Sequence, residues 1–235
     1  MKVKTERKRW LHSKNTNKKD TYMIKAIIFD FDDTMYVGDV WEGYIEFEKM
    51  LAIKAIGDEG KYNEIVKRNN FTHAKSLKCI ADLFRKEKLN LRKLRRTYNQ
   101  NIFVHSSKDV KTLPTAFFEK LRGKFDIYFA TMSQKNYIKH YTKLYGFNLK
   151  LFKGVEYFNI VKDTSKEDSY MRILKKSKLK PEEILMIGNS YDDDIVPAQN
   201  MGLQTLHFGG DFNQIYGYIE ENGMLDCGEF KTLSK

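Results

Sequence analysis

Residues 26–36 read AIIFDFDDTMY. Four apolar residues suit a strand covered on both faces, yet they run straight into three carboxylates within four positions. Such a cluster repels itself unless protonation, a basic side chain or a cation compensates it. The segment therefore either closes on a solvated turn or builds a site. What the other strand ends deliver decides between the two.

IYFA (127–130), ILMI (184–187) and QTLHF (204–208) are further strand candidates, and VEYFN (155–159) is an ambiguous short one. Helical patterns lie between them. Pro114 suits the first turn of a helix over 114–122. Ser133 is placed to cap one running through Tyr137, Tyr141 and Leu144 to a stop at Gly146. Ser165 and Asp168 have capping-box spacing ahead of Tyr170, Ile173 and Leu174. Strands alternating with helices imply an α/β domain with a largely parallel sheet.

Residues 40–110 carry helical patterns and no clear strand. One uses Tyr44, Phe47, Leu51 and Ala55 and stops at Gly57; a second follows Thr72 with Leu77, Ala81 and Phe84; a third runs from Leu91 through Leu94 and Tyr98. This reads as a helical insertion between the first two strands of the sheet, roofing the end of the first. The expected division is 1–22, a basic flexible extension; 23–37 and 111–235, the α/β core; and 38–110, the helical cap.

Open parallel sheets bind ligands beyond the carboxyl ends of their strands. Asp30 and Asp32 stand at the first such end, Thr131 at the second, and Gly188, Asn189 and Ser190 at the third, followed by Asp192, Asp193 and Asp194 in SYDDDI. Their common position favours a site over three unrelated acidic loops. Hard oxygen donors with no His or Cys nearby in sequence point to magnesium rather than zinc. An ion bridging a carboxylate and a phosphoryl oxygen lets an acidic pocket accept an anionic substrate.

DFDDT resembles the DxDxT first motif of the haloacid dehalogenase (HAD) superfamily, in its phosphatase branches. Thr131 in FATMS is similar to the second motif, Lys166 to the basic third motif, and GNSYDDDIVPAQNMG to the fourth, GDSxxxDIxxAxxxG. The likeness spans Met23 to about Phe208. It implies a Rossmann-like HAD core with an inserted all-helical cap of the first kind, and a magnesium-dependent phosphomonoester hydrolase working through an aspartyl-phosphate. In that scheme Asp30 is the nucleophile and Asp32 the general acid and base. Thr34 braces the loop, Thr131 binds a phosphoryl oxygen, and Lys166 neutralises charge. Asp33 faces solvent or a cap residue.

Asp30, the main-chain carbonyl of Asp32, Asn189 and Asp194 are the implied metal donors, with Asp193 as the alternative to Asp194 and Lys162 as the alternative to Lys166. Asn189 departs from the family pattern: it keeps an oxygen donor and loses one negative charge. The same scaffold admits a phosphoryl-transfer mutase, a nucleic-acid end phosphatase, or a weakly active or non-catalytic binding protein.

Aromatic residues make up 14 % of the chain, which argues against disorder. No apolar run spans a membrane, and two cysteines suggest neither a disulfide framework nor a zinc site. A cytoplasmic protein acting on a small phosphorylated substrate is the plain expectation. The net charge is +11. Residues 1–20 hold eight Lys/Arg against Glu6 and Asp20, a net of +6, leaving 34 basic and 29 acidic residues elsewhere. The first stretch reads as flexible or dispensable, with a polyanion-binding arm as the second reading. Residues 84–96, FRKEKLNLRKLRR, read as the charged side of two helices joined near Asn90, or as an anion-facing patch. Nucleic acid is a possible partner through either segment, though no recognisable nucleic-acid-binding motif accompanies them.

Overall fold

A computed structural model describes residues 23–71, 77–104 and 109–231. The N-terminal extension and the helix start expected at Thr72 lie outside the described residues. Strand β1 (Ala26–Phe29) is wholly buried. It leads through a tight turn into a two-residue strand, β2 (Tyr36–Val37), and then into four inserted helices: α1 (Tyr44–Ile56), α2 (Glu59–Arg68), α3 (Leu77–Lys86) and α4 (Leu91–Gln100). The chain returns along β3 (Lys111–Thr112), antiparallel to β2, so entry to and exit from the insertion are clamped side by side. The remaining elements alternate: α5 (Thr115–Arg122), β4 (Asp126–Thr131), α6 (Lys135–Leu144), β5 (Gly154–Tyr157), α7 (Glu167–Ser177), β6 (Ile184–Gly188), α8 (Val196–Asn200), β7 (Gln204–His207), α9 (Phe212–Glu221) and α10 (Gly228–Lys231).

Five of these strands form one parallel sheet in the order β5-β4-β1-β6-β7. Strand β1 is central, with Ile27 opposite Ile127 on one side and Leu185 on the other. Alternate side chains serve opposite faces, as the pleat requires. Ile27, Phe29, Ile127, Phe129, Leu185 and Ile187 join the aromatic layer of α5, α6 and α9. Ala26, Ile28, Tyr128 and Met186 pack on α7 and α8 through Tyr170, Ile173 and Ala198. Both faces of β1 are covered, which explains its unbroken apolar run.

The inserted helices bury their own cluster, including Leu51, Ala52, Ile80, Phe84, Leu94 and Tyr98, and they share it with Phe158 and Ile160 beyond β5. The sequence shows three helices here, and the described residues form four. Helix α2 buries only Tyr62 and Ile65, too few for a readable apolar stripe. Among the described residues, no helix is long and apolar enough to cross a membrane.

Candidate active site

The ladder between β1 and β6 continues one step past the strand, with Asp30 N donating to Ile187 O at 2.9 Å. The chain then turns sharply: Met35 N donates to Phe31 O at 2.9 Å, and Asp33 adopts a left-handed φ of 53°. Phe31 drives into the core between Phe129 and Phe147. Its neighbours Asp30 and Asp32 are thereby left at the sheet's carboxyl edge, in different surroundings.

Asp30 is 5 % exposed, and its Oδ1 lies 2.5 Å from Lys166 Nζ. Lys166 also binds Asp194 Oδ1, making a buried cation between two carboxylates. Burial opposes the charge on Lys166, but Asp194 and Asp30 outweigh it and its pKa is raised, so it stays protonated. Burial raises the pKa of Asp30 well above the usual value, helped by Asp194 and only partly countered by Lys166. Thr34 Oγ1 stands 3.4 Å from Asp30 Oδ2 and 3.3 Å from Asn189 Oδ1. One hydroxyl proton cannot fully serve both oxygens, so this corner keeps spare acceptor capacity.

The Asp32 carboxylate turns elsewhere. It accepts from Tyr36 Oη at 2.8 Å and from Ser133 Oγ at 2.6 Å, and the Tyr36 and Tyr137 hydroxyls lie 3.1 Å apart. Burial raises its pKa, while the Ser133, Tyr36 and Tyr137 hydroxyls pull it back. Asp33 accepts from Trp41 Nε1 at 2.7 Å, and burial lifts its pKa to about 6.

Thr131 is fully buried, and its Oγ1 accepts from Ser133 N at 2.9 Å. It thus braces the turn that aims Ser133 at Asp32. Ser133 is not the helix cap its position suggests: Gln134 takes the N-cap position of α6, and the serine hydroxyl goes to the carboxylate instead. Tyr36, whose hydroxyl donates to Asp32, is fully buried.

After β6 the chain makes one wide turn of π-helix, Tyr191–Ile195, in which Ile195 N reaches back five residues to Ser190 O. This extra residue points Asp194 inward, where Oδ2 accepts from Ser190 N at 3.0 Å and Oδ1 meets Lys166. Asp193 is half-buried at the cavity wall. Gly188 is required here, since a Cβ would fall 2.6 Å from Asp194 Cβ.

A cavity of about 430 Å³ opens over these groups, with Asp30, Asp32, Trp41, Tyr44, Lys166 and Asn189 in its wall. Lys162 is exposed and lines a separate groove with Arg92, Arg95 and Arg96. The basic stretch 84–96 therefore divides. Those three arginines face outward, while Arg85 donates to Ile160 O at 2.8 Å and to Asp163 O. His207 lies at the rim, its Nε2 2.9 Å from Asn189 O.

The expected metal donors come together only in part. Asp30 and Asn189 meet at Thr34, Asp194 is held by Lys166, and the Asp32 carboxylate is committed to hydroxyls. No group of three or more His, Cys, Asp or Glu residues arranged to hold a metal is present among the described residues. Sequence reasoning missed Ser133 and Tyr137 as partners of Asp32; their polar ends near a strand tip were the available signal.

A parallel α/β sheet with charged groups at its carboxyl edge and helices inserted after the first strand defines the class of the protein. The family model of haloacid dehalogenase-like hydrolases matches residues 24–202, and the chain belongs to that family. A haloacid dehalogenase-like hydrolase structure from Bacteroides fragilis is similar, with a TM-score of 0.52, 18 % identity, and coverage of 78 % of this chain and 87 % of that one. A haloacid dehalogenase-like family protein from Streptococcus pneumoniae aligns with a TM-score of 0.48 at 19 % identity, covering 83 % and 90 % of the two chains. No curated protein sequence matches the chain.

Proposed function

We propose that the protein is a magnesium-dependent phosphomonoester hydrolase acting through an aspartyl-phosphate on Asp30. The observation that carries this reading is the separation of two carboxylates only two residues apart. Asp30 is paired with a buried lysine, while Asp32 is held by hydroxyls. Lys166 favours the anion of Asp30 against the rise that burial and Asp194 impose on it, while Asp32, facing hydroxyls, can hold and release a proton.

Lys166 engages Asp30 Oδ1, leaving Oδ2 to attack phosphorus. As the new Oδ2–phosphorus bond forms, the bond from phosphorus to the ester oxygen breaks, and Asp32 gives that oxygen its proton. Asp32 then takes a proton from water as the water attacks phosphorus, the acyl-phosphate bond breaks, and Asp30 is restored as inorganic phosphate leaves. Tyr36 and Ser133 hold Asp32 in position through both steps. Lys166 offsets phosphoryl charge, and Thr131 supports the loop beside it.

Hard oxygen donors at Asp30, Asn189 and the main chain of Asp32, with Asp194 or Asp193 behind them, fit magnesium. When bound, the ion supplies charge neutralisation for the phosphoryl oxygens. Asn189 makes this donor set less negative than one with two aspartates, so affinity for the ion is expected to be modest.

The test is phosphate release from a panel of phosphomonoesters with magnesium, run beside Asp30→Asn. Loss of a nucleophile costs on the order of 10³-fold or more in turnover, and chelation abolishes release. An Asp30→Asn protein as active as the wild type overturns the proposal.

A further inference from the structure

The catalytic cavity continues beyond Asp32. Trp41, Tyr44, Leu77 and Ser133 line it and also line a narrower recess of about 40 Å³ under the inserted helices. Glu48, 1 % exposed, lies in the wall of that recess. Its carboxylate accepts from the hydroxyls of Tyr98 and Tyr44. A carboxylate offers about four acceptor sites, so two bonds leave capacity unused.

Aromatic rings form much of the rest of the wall, beside Leu77, Asn101, Ile102, Ser133 and Gln134. Trp41 meets Tyr44 with centroids 5.1 Å apart, Tyr44 meets Phe103 at 5.2 Å, and Phe47 meets Phe103 at 5.4 Å. Among the described residues, no Lys, Arg or His lines the recess. Lys166, the one basic residue in the wall of the larger cavity among the described residues, is committed to Asp30 and Asp194. A buried acid with no cation beside it among the described residues, in a recess lined by aromatic rings, is a setting that a cationic ligand completes.

We propose that this recess receives the leaving-group end of the substrate and that this end is a cation. The substrate class is a phosphomonoester of a small amino alcohol, its ammonium group against Glu48 and the rings of Trp41, Tyr44 and Phe103. The phosphoryl end of this proposal rests on the phosphatase reading above; the cation site itself does not. The recess holds only a few heavy atoms, since one water needs about 10–15 Å³ on the same scale. Nucleobases and hexoses are therefore too large for it, and a leaving group carrying a carboxylate or second phosphate would meet Glu48 head-on. Burial lifts the pKa of Glu48 to about 7. Tyr44 on its own helix and Tyr98 on α4 hydrogen-bond it, and Asn101, Ser133, Gln134 and Tyr137 are the other polar residues of the recess wall among the described residues. An ammonium group supplies the charge that keeps Glu48 ionised at neutral pH.

Two measurements on the full chain separate the proposals. Calorimetric titration with ethanolamine and choline, against propanol and 3,3-dimethylbutanol as neutral isosteres, reads the recess without any turnover. Saturable binding of the cations alone is expected. Hydrolysis of O-phosphoethanolamine and phosphocholine is then compared with propyl phosphate. The cationic esters are expected to lead by about tenfold in kcat/KM, through KM, as one ion–aromatic site with a carboxylate supplies. Glu48→Gln is expected to bring that ratio to about one. Cation binding without hydrolysis of any ester sinks the phosphatase reading and leaves the recess assignment standing. Hydrolysis with no cation preference, or a preference that survives Glu48→Gln, overturns the recess assignment alone. Neither binding nor turnover overturns both.

Discussion

Asp32 depends on hydroxyls from three places in the chain, and this dependence can be tested one atom at a time. Ser133 Oγ is the largest of the influences pulling its pKa down against burial. Ser133→Ala removes that donor, so the Asp32 pKa rises further and the group holds its proton to higher pH. In the proposed cycle, the step in which Asp32 accepts a proton from water then fails sooner on acidification. The acid limb of the kcat profile should move to higher pH, with kcat at neutral pH reduced about tenfold, in the range typical of one weakened acid–base contact. An unchanged pH profile in steady-state assays would remove Ser133 from this role. Asp30 and Asp32 were legible in the sequence because they follow the apolar run of a strand, whereas Lys166 came from its resemblance to the third motif, with Lys162 as the alternative. Ser133 was not, because its partner is 101 residues away and its position equally suits a helix cap.

At the scale of elements, the inserted helices are tied to the core by means a sequence scarcely displays. The β2–β3 clamp is two residues per strand, below any readable alternation. Arg85 on α3 crosses to the carbonyls of Ile160 and Asp163 and also pairs with Asp82. In sequence it is one of seven basic residues between 84 and 96, with nothing to distinguish it from Arg92 or Arg96. Arg85→Ala leaves two partly buried carbonyls without their donor and should cost about 1–3 kcal/mol in the docking of α3. Hydrogen exchange is then expected to quicken in α3 and in residues 158–163, while β1 keeps its protection; equal protection in all three would show that the apolar cluster alone holds the helices. The turn after β6 makes a second case. Gly188→Ala forces a methyl group against Asp194. Overpacking of this kind costs about 1–3 kcal/mol, measurable by urea denaturation, and displaces Asp194 from Lys166. The glycine was visible in the fourth motif, but the need for it comes from the π-turn folding back onto the strand end.

Across the described residues, the cavity wall is far more acidic than the chain as a whole. The chain carries +11, yet among the described residues the cavity wall holds Asp30, Asp32, Asp33, Asp193 and Asp194 against Lys166 alone. The parallel sheet and the inserted helices were legible from strand and helix periods; this distribution was not, since it follows from which loops converge. Glu48 adds a buried acid that acts on global stability. Its folded pKa is raised from 4.5 to about 7, chiefly by burial. The folded state therefore binds this proton more tightly than the unfolded chain. By linkage, stability conferred by protonated Glu48 is present below about pH 4.5, falls as pH rises toward 7, and changes no further above it. A shift of this size corresponds to about 3 kcal/mol at 1.36 kcal/mol per unit. Glu48→Gln keeps an acceptor for the tyrosine hydroxyls and never ionises, so it should equal the wild type near pH 4 and exceed it by about 2–3 kcal/mol at pH 8. Denaturant titrations of both proteins at the two pH values decide the matter. A difference independent of pH would mean that Glu48 is already ionised throughout and has its cation in the folded protein; a difference that grows with pH places an unpaired acid at the centre of the inserted helices.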